Sequence, residues 1–227
     1  MTALQQALVA PALHTTDLYR FYRAGDEEVL ALRGVSVNVA AGEVIAVTGP
    51  SGSGKSTLMS CLAGIDEPDG GAVWVGGERI SHRYDGERAA LRARHIGVLR
   101  QTDNLLDHLT VLQNVQLARR IARRNSEGCM ALLESVGMGD RAGHRPSQLS
   151  GGEAARAAVA VALANDPVVL LADEPTGELD SETERQVLTL LRERAHTGTA
   201  VVVASHSPAV RRLADRVLSL REGRIDD

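Results

Sequence analysis

The stretch Gly49-Pro50-Ser51-Gly52-Ser53-Gly54-Lys55-Ser56-Thr57 decides the fold, because it fits the phosphate-binding pattern G-x-x-x-x-G-K-[ST]. The run before it, residues 44–48 (VIAVT), is apolar and β-branched and predicts a buried strand. The residues after it, 58–63, carry apolar side chains at helical spacing. Strand, glycine-rich loop and helix, in this order, form the context that the motif requires.

The residue types in this loop explain its chemistry. Glycines let backbone N–H groups point at phosphate oxygens, and the start of the following helix adds partial positive charge. Lys55, the only lysine in the chain, is predicted to reach the β- and γ-phosphates, and Ser56 to offer its hydroxyl to Mg²⁺. The dinucleotide-binding pattern G-x-G-x-x-G does not fit, because no third glycine follows Gly52 and Gly54 at the required spacing.

Composition limits the possible functions. The chain has 227 residues, 44% of them hydrophobic, which suffices for one large domain or for a core with a subdomain. A net charge of −4 does not indicate a general nucleic-acid binder. The two cysteines, Cys61 and Cys129, are far apart in the sequence and favour a reducing compartment over a disulfide framework. We find no cleavable signal in residues 1–13 and no apolar run of membrane-span length, so a membrane function would need another chain.

The apolar pattern along the chain predicts an α/β fold. Apolar strands alternate with helices toward both ends, which indicates a parallel sheet covered by helices, and residues 1–13 are interpreted as a tail. We expect a sheet core at about 14–100 and 164–227, with a helical subdomain at about 101–163 inserted into it. The predicted strands are 18–22, 29–32, 35–39, 72–75, 95–99, 168–172, 200–204 and 217–220, and the predicted helices are 85–94, 110–124, 130–136, 151–164, 181–195 and 208–214.

Two acidic residues, Asp173 and Glu174, follow the apolar run 168–172. An acid at the carboxyl end of a strand beside a phosphate-binding loop is the Walker B arrangement. Asp173 is predicted to hold Mg²⁺ through its waters, and Glu174 to act as general base on the attacking water, a role that contributes about 10²–10⁴-fold in rate. The alternative is an acidic turn before Pro175.

A second anion-binding helix start is predicted at residues 149–153 (LSGGE). Ser150 can cap the helix, and Gly151 and Gly152 leave backbone N–H groups open. Taken alone, a capped helix explains this segment equally well. Together with the two preceding motifs, however, the segment specifically indicates a second anion-binding site.

At this point the chain resembles the ATP-binding-cassette (ABC) ATPases over nearly its whole length. Residues 149–153, Ser150 to Glu153 included, are similar to the family signature LSGGQ, and residues 173–180 to its Walker B motif and D-loop. Gln101 is similar to the Q-loop glutamine, His206 to the switch histidine, and Tyr22 to the aromatic residue that stacks on adenine, for which ordinary packing is the alternative.

The resemblance implies a P-loop NTPase with a RecA-like parallel sheet, an antiparallel β subdomain and the helical insert. It also implies ATP and Mg²⁺ as cofactors, with Glu174, His206 and Gln101 catalytic. The metal would be held by Ser56, Gln101 and Asp173. The nucleotide would be bound by Tyr22, Gly49, Ser51, Gly52, Ser53, Gly54, Lys55, Ser56, Thr57, Ser150, Gly151, Gly152 and Glu153.

Within that family the chain looks most like the lipoprotein-release and macrolide-efflux branch, on the strength of 49–57, 173–180 and the segment 105–115 (LLDHLTVLQNV). It differs from the usual pattern at Arg100, Ala154, Ala155 and Glu178. The resemblance implies a head-to-tail dimer of two copies with ATP between Walker A of one and Ser150–Glu153 of the other. It also implies a separate integral-membrane permease of the FtsX/MacB type, received near 105–111, and a place at the cytoplasmic face of the membrane.

Other functions share part of these motifs. An FtsE-like ATPase that transmits force through a membrane partner to cell-envelope enzymes would have the same motifs as a transporter subunit. Soluble ABC ATPases of DNA repair or translation usually carry a long coiled-coil insert or a second cassette, which this sequence lacks. A small-molecule kinase would leave 149–153 and His206 without a role. The four arginines at 119, 120, 123 and 124 are interpreted as a solvated helix side, with contact to anionic headgroups as the alternative.

Overall fold

The computed structural model describes residues 10–24 and 27–226, which form two β-sheets and the helices packed on them. The larger elements alternate in the order that the sequence pattern predicts. In chain order they are β1 (Leu13–Ala24), β2 (Glu27–Val35), β3 (Asn38–Val39), β4 (Val44–Thr48), α1 (Lys55–Leu62), β5 (Gly70–Val75), β6 (Glu78–Arg79), α2 (Asp85–His95), β7 (Ile96–Leu99), α3 (Val111–Ile121), α4 (Cys129–Ser135), α5 (Gly151–Leu163), β8 (Val169–Asp173), α6 (Ser181–His196), β9 (Ala200–Ala204), α7 (Pro208–Leu213), β10 (Arg216–Arg221) and β11 (Arg224–Asp226), with two short 3₁₀ turns at Gly139–Arg141 and Pro146–Gln148.

The smaller sheet is antiparallel and has the strand order β2-β1-β5-β6, with β3 also paired to β1. The predicted strand 35–39 is wrong as a single element, because β2 ends at Val35 and only 38–39 pair again. The alternating valines at 35, 37 and 39 are nevertheless all buried. Between the two strands, Val37 exchanges hydrogen bonds with Thr15 (2.8 Å each) instead of continuing a ladder. The alternation therefore reports burial on one side rather than an unbroken strand.

The start of this sheet also corrects the predicted tail at 1–13. The first nine residues of that segment lie outside the described residues. Ala12 and Leu13, however, are buried at 5% and 0% exposure, and β1 begins at Leu13. Two apolar residues of the predicted tail thus belong to the core.

The larger sheet has the order β11-β10-β4-β9-β8-β7, and every neighbouring pair except β10-β11 is parallel. The strand before the phosphate-binding loop, β4, is central, and all five of its residues are buried. Strands buried on both faces read as continuous apolar runs, which is the pattern of β4, β8 and β9. Since parallel strands present their carboxyl ends at one edge, the segments that follow β4, β7, β8 and β9 meet there.

The helices between residues 111 and 163 share a core with this sheet. Helix α5 buries a run of alanines, and their small side chains pack in one hydrophobic cluster with Leu170 and Ala172 of β8. Val111 and Val115 of α3 and Leu133 of α4 belong to the same cluster. In the described part of the chain, no helix is both long enough and apolar enough to cross a bilayer.

The predicted helix 110–124 ends earlier than its sequence pattern indicates. Helix α3 stops at Ile121, and Arg123 takes a left-handed backbone conformation with φ of 58°. The N–H of Arg124 then bonds the carbonyl of Arg119 at 2.9 Å, a common way of closing a helix. The prediction that four arginines share one helical side is therefore wrong, and Arg124 instead pairs with Asp166 at 3.0 Å.

The amino end of β4 is held by Asp215, which precedes β10. One of its carboxylate oxygens, Oδ2, accepts a hydrogen bond from the Val44 N–H at 2.8 Å. Arg192 of α6 donates to both carboxylate oxygens, at 2.7 and 2.8 Å. The Arg192 hydrogen bonds, followed by the backbone bond, lower the pKa of Asp215 to about 2. The strand that leads into the phosphate-binding loop is thus fixed by a charged acceptor.

We expect Asp215→Asn to lower the free energy of unfolding at neutral pH by less than about 1 kcal/mol, because the ion pair is more than a third exposed and is screened by solvent. A depressed pKa stabilises the folded state above the unfolded-state pKa of about 3.9. That stabilisation is lost as the pH falls through the folded-state value of about 2. Urea unfolding of wild type and variant at several pH values measures this. A difference that stayed constant below pH 4 would contradict it.

Candidate functional site

The phosphate-binding loop joins β4 to α1, and Lys55 is the first residue of that helix. The Lys55 Nζ donates hydrogen bonds to the backbone oxygens of Gly49 at 2.8 Å and Pro50 at 3.0 Å. The side chain is only 8% exposed, so its ammonium lies within the curve of the loop. A compact cation is therefore already present where phosphate oxygens would be bound.

Two glycines of this loop are fixed by close backbone neighbours. Gly54 has φ of 103°, and a Cβ there would lie 2.5 Å from the backbone oxygen of Ala31. A Cβ at Gly49 would lie 2.0 Å from the backbone oxygen of Leu220. The loop thus packs tightly between β2 and β10, and only glycine fits at these positions. Gly52, in contrast, has open space around it.

A cleft of about 620 Å³ lies in front of the loop. It brings together most residues that the sequence predicts for a nucleotide site, namely Tyr22, Ser51, Gly52, Gly54, Lys55, Ser56, Thr57, Asp173, Glu174 and His206. Gly49 and Ser53 belong to the loop but not to the wall of the cleft. Sequence reasoning missed the rest of the wall, which is formed by Val29, Leu30, Ala31 and Arg33 on β2 and by the turn residues Glu222 and Gly223.

Asp173 ends β8 and is half-buried beside the loop. Burial raises its pKa, while the neighbouring Ser56 hydroxyl opposes this rise. Its Oδ1 is buried and has no hydrogen-bond partner among the described residues. A carboxylate oxygen that accepts no hydrogen bond, beside a hydroxyl oxygen, offers the oxygen ligands that a hard cation such as Mg²⁺ prefers. The residues present therefore fit the predicted metal.

Glu174 follows directly and has a left-handed backbone with φ of 46°. Its N–H bonds the Ala204 carbonyl at 2.9 Å, which ties the end of β8 to the end of β9. The Ser205 hydroxyl donates to Glu174 Oε2 at 2.9 Å, and the Nε2 of His206 lies 3.7 Å from Oε1. The predicted general base and the predicted switch histidine are thus adjacent.

Gln101 lies in a second cleft, of about 360 Å³, rather than in the first. Its Nε2 donates to Glu178 Oε1 at 3.4 Å. Glu174 lines both clefts and stands between them. The structure therefore places Gln101 near the predicted base but not against the phosphate-binding loop.

Tyr22 stands at the first cleft with its ring held from two sides. The Arg20 guanidinium lies 4.7 Å from the ring centroid, and the Tyr22 hydroxyl donates to Asp66. Burial, and then the Asp66 hydrogen bond, raise the pKa of Tyr22. With 37% of its surface exposed, Tyr22 is not a core residue. Its setting suits stacking on a base better than ordinary packing.

The segment 149–153 starts α5 with a reciprocal cap. The Ser150 Oγ accepts from the Glu153 N–H at 3.3 Å, and Glu153 accepts from the Ser150 N–H at 2.8 Å. Arg141 donates to the second oxygen of Glu153 at 2.8 Å, and these bonds lower the pKa of Glu153 to about 2. None of residues 150–153 lines the cleft at the phosphate-binding loop. Within one protomer, the two predicted anion-binding helix starts therefore line different clefts, since Gly151 lies in the second one.

Comparisons with known proteins agree with this geometry. The family model described as ABC transporter matches residues 32–177. An uncharacterized ABC transporter ATP-binding protein of Thermotoga maritima is 44% identical over 218 residues, which cover 94% of this chain and 93% of that protein. The macrolide export ATP-binding/permease protein MacB of Burkholderia pseudomallei is 42% identical over 96% of this chain, which spans 34% of that longer protein.

Two solved structures are similar to this chain in fold as well as in sequence. The dimeric structure of MJ0796, a bacterial ABC transporter cassette, has a TM-score of 0.87 at 33% identity and covers 95% of this chain and 97% of its own. A dimeric structure of the same cassette in a post-hydrolysis state, bound to ADP and phosphate, has a TM-score of 0.85 at 32% identity and the same coverage.

Proposed function

Because the chain belongs to the ABC transporter family, it is an ATP-binding and ATP-hydrolysing cassette, and we propose that it powers a separate membrane permease through closure and reopening of a head-to-tail dimer. The observation that carries this proposal is the separation of the Ser150–Glu153 helix start from the Lys55 loop within one protomer. Two anion-binding surfaces that do not line one cleft on the same chain can meet around the same ATP when two copies pair. The dimeric MJ0796 cassette supports the pairing.

In the closed dimer, the ATP phosphates would be bound by the loop at 49–57 of one copy and by the α5 start of the other. Backbone N–H groups at both helix starts suit an anion. Tyr22, at the mouth of the first cleft, would stack on the adenine ring. The nucleotide then acts as the contact that closes the dimer, since each surface alone binds only one side of it.

Ser56 and Asp173 would hold Mg²⁺, with Gln101 as the third predicted contact. When bound, Mg²⁺ would neutralise charge that develops on the β- and γ-phosphates. Glu174 would accept the proton of the water that attacks the γ-phosphorus, and His206 would donate a hydrogen bond to the γ-phosphate. Cleavage of the terminal phosphate leaves two anions in one site, and their repulsion reopens the dimer.

We place the partner permease against the helical segment 101–163, near Leu105 to Val111, with this segment as a distinct subdomain. The similarity to MacB, in which cassette and permease are parts of one longer protein, supports a permease of the FtsX/MacB type. Such a partner would hold the cassette at the cytoplasmic face of the membrane. Gln101, in the second cleft between Glu174 and this segment, would couple the nucleotide site to the permease.

The dimer is tested by adding one charge to the α5 start. In the part of the chain that the structure describes, a Cβ at Gly151 meets nothing within 4 Å, so Gly151→Glu would place a carboxylate near the partner's ATP without a local clash. We expect this variant to lose at least about 10-fold in ATP-driven dimer affinity through like-charge repulsion, while one protomer still binds ATP. Light scattering with Mg²⁺ and a non-hydrolysable ATP analogue measures dimer formation.

The matched control is Gly143→Glu, where a Cβ also meets no described atom within 4 Å and where no predicted site residue is nearby in sequence. It should dimerise as wild type does. Equal dimerisation of the Gly151 and Gly143 variants would refute the head-to-tail arrangement.

A further inference from the structure

A series of hydrogen bonds that the sequence motifs do not predict connects three segments at the site. It comprises Glu184 of α6, Thr176 after β8, and Ser205 and Ser207 after β9. Glu184 Oε1 accepts from the Ser207 hydroxyl at 2.6 Å and from the Thr176 hydroxyl at 3.1 Å. One carboxylate oxygen of α6 therefore holds the loop that follows Glu174 and the loop that carries His206.

The same hydrogen bonds continue to the predicted base. The Ser207 N–H donates to the Ser205 Oγ at 3.1 Å, and the Ser205 hydroxyl donates to Glu174 Oε2 at 2.9 Å. The Ser207 Oγ also accepts from the Ala209 N–H at 3.0 Å, where it caps α7. Each serine hydroxyl donates its single proton to a carboxylate, so the donor and the acceptor of each of these hydrogen bonds are fixed. His206 lies between two serines that are both held in place.

A carboxylate in the first turn of a helix can simply complement the helix dipole, and that is the ordinary explanation for Glu184. Helix α6 already has Asp180 as its N-cap and Glu182 in its first turn. Glu182 is exposed and pairs with Arg185 of the same helix, so its position fits a residue that only complements the helix dipole. Glu184, in contrast, is half-buried and accepts hydrogen bonds from Thr176 in the loop after β8 and from Ser207 in the loop after β9.

We propose that Glu184 is a positioning residue for ATP hydrolysis, which holds Thr176 and Ser207 so that Glu174 and His206 face the terminal phosphate together. This rests on the proposed function. Glu184 lines neither the first nor the second cleft. Its loss should therefore reduce the rate of the chemical step and leave nucleotide binding nearly unchanged, because the loop at Lys55 remains intact.

The test compares Glu184→Ala, Glu184→Gln and Ser207→Ala with the control Glu182→Gln, all in the full chain. We expect Glu184→Ala to lower kcat roughly 10- to 100-fold, the range that corresponds to lost hydrogen bonds to a charged acceptor, with KM within about 3-fold of wild type. Glu184→Gln keeps an acceptor oxygen and should recover most of the loss. Ser207→Ala breaks the contact from the other side without altering α6.

The outcomes separate a positioning role from a structural one. If Glu184→Ala and Ser207→Ala act through the same contact, the double variant should be no slower than the slower single variant. A Glu184→Ala protein that melts earlier but turns over ATP at the wild-type kcat below its melting temperature overturns the inference. So does additivity of the two changes, or an equal effect of Glu182→Gln.

The proposed function fails in a different way. If the wild-type chain does not hydrolyse ATP, or if Glu174→Gln retains turnover, the assignment of the site is at fault. If wild type is active, Glu174→Gln is inactive and Glu184→Ala is unchanged, only the role of Glu184 is refuted.

Discussion

Glu174→Gln is expected to lower ATP turnover by about 10²–10⁴-fold, the contribution of a positioned general base. Glutamine has nearly the same shape as glutamate, and its amide oxygen can still accept the hydrogen bond that Ser205 donates at 2.9 Å. The ends of β8 and β9 should therefore keep their arrangement while the proton acceptor is lost. Steady-state phosphate release at saturating ATP measures the effect.

The same variant should retain or strengthen ATP-driven dimerisation, because binding is intact and the step that reopens the dimer is slowed. Glu178→Gln is the matched control: it removes a carboxylate from the same loop, but this side chain is exposed and lines only the second cleft. It should stay within a few-fold of wild type. Unchanged turnover in Glu174→Gln would show that another group takes the proton.

Lys55→Met is expected to weaken ATP binding roughly 10- to 150-fold, which corresponds to the loss of one or two charge-assisted hydrogen bonds. Methionine keeps an apolar stem of similar length but lacks the ammonium that now donates to the Gly49 and Pro50 oxygens. Turnover should fall by at least as much. Titration with a fluorescent ATP analogue gives the dissociation constant, and circular dichroism verifies the fold.

Two further variants make this result specific. Lys55→Arg keeps the charge but should not restore binding, because the side chain is only 8% exposed and a planar guanidinium does not replace a compact ammonium there. Arg221→Met removes an exposed cation at the end of β10, which pairs with Asp226, and should leave binding intact. Full recovery of ATP binding in Lys55→Arg would mean that a positive charge at this position is sufficient for binding.

The parallel sheet and the centre of the site could be predicted because their determinants are local. A continuous apolar run predicts a strand buried on both faces, as β4, β8 and β9 are. The end of such a strand lies at the carboxyl edge of the sheet, which accounts for Asp173 at the end of β8 and His206 two residues after β9. The glycine pattern at 49–57 reflects backbone contacts that no other residue permits at Gly49 and Gly54.

The remaining features depend on contacts between distant segments. Arg33 reaches the cleft because its N–H bonds the Gly223 oxygen at 2.8 Å, a pairing of segments far apart in sequence. The end of α3 depends on the left-handed conformation of Arg123. Glycine is the residue that usually marks such a helix end, and an arginine at this position gives no such indication. Glu184 resembles any acid in a first helical turn until the loops around it are placed.

The single lysine has a chemical consequence beyond binding. Apart from the α-amino group of the chain, Lys55 Nζ is the only primary amine, and it is enclosed by the backbone oxygens of Gly49 and Pro50. An amine-directed acylating reagent would therefore have a single side chain to modify, on the wall of the cleft, and bound phosphates would shield it. The extent of acylation by mass spectrometry would then report nucleotide occupancy directly, without an attached fluorophore and without any substitution.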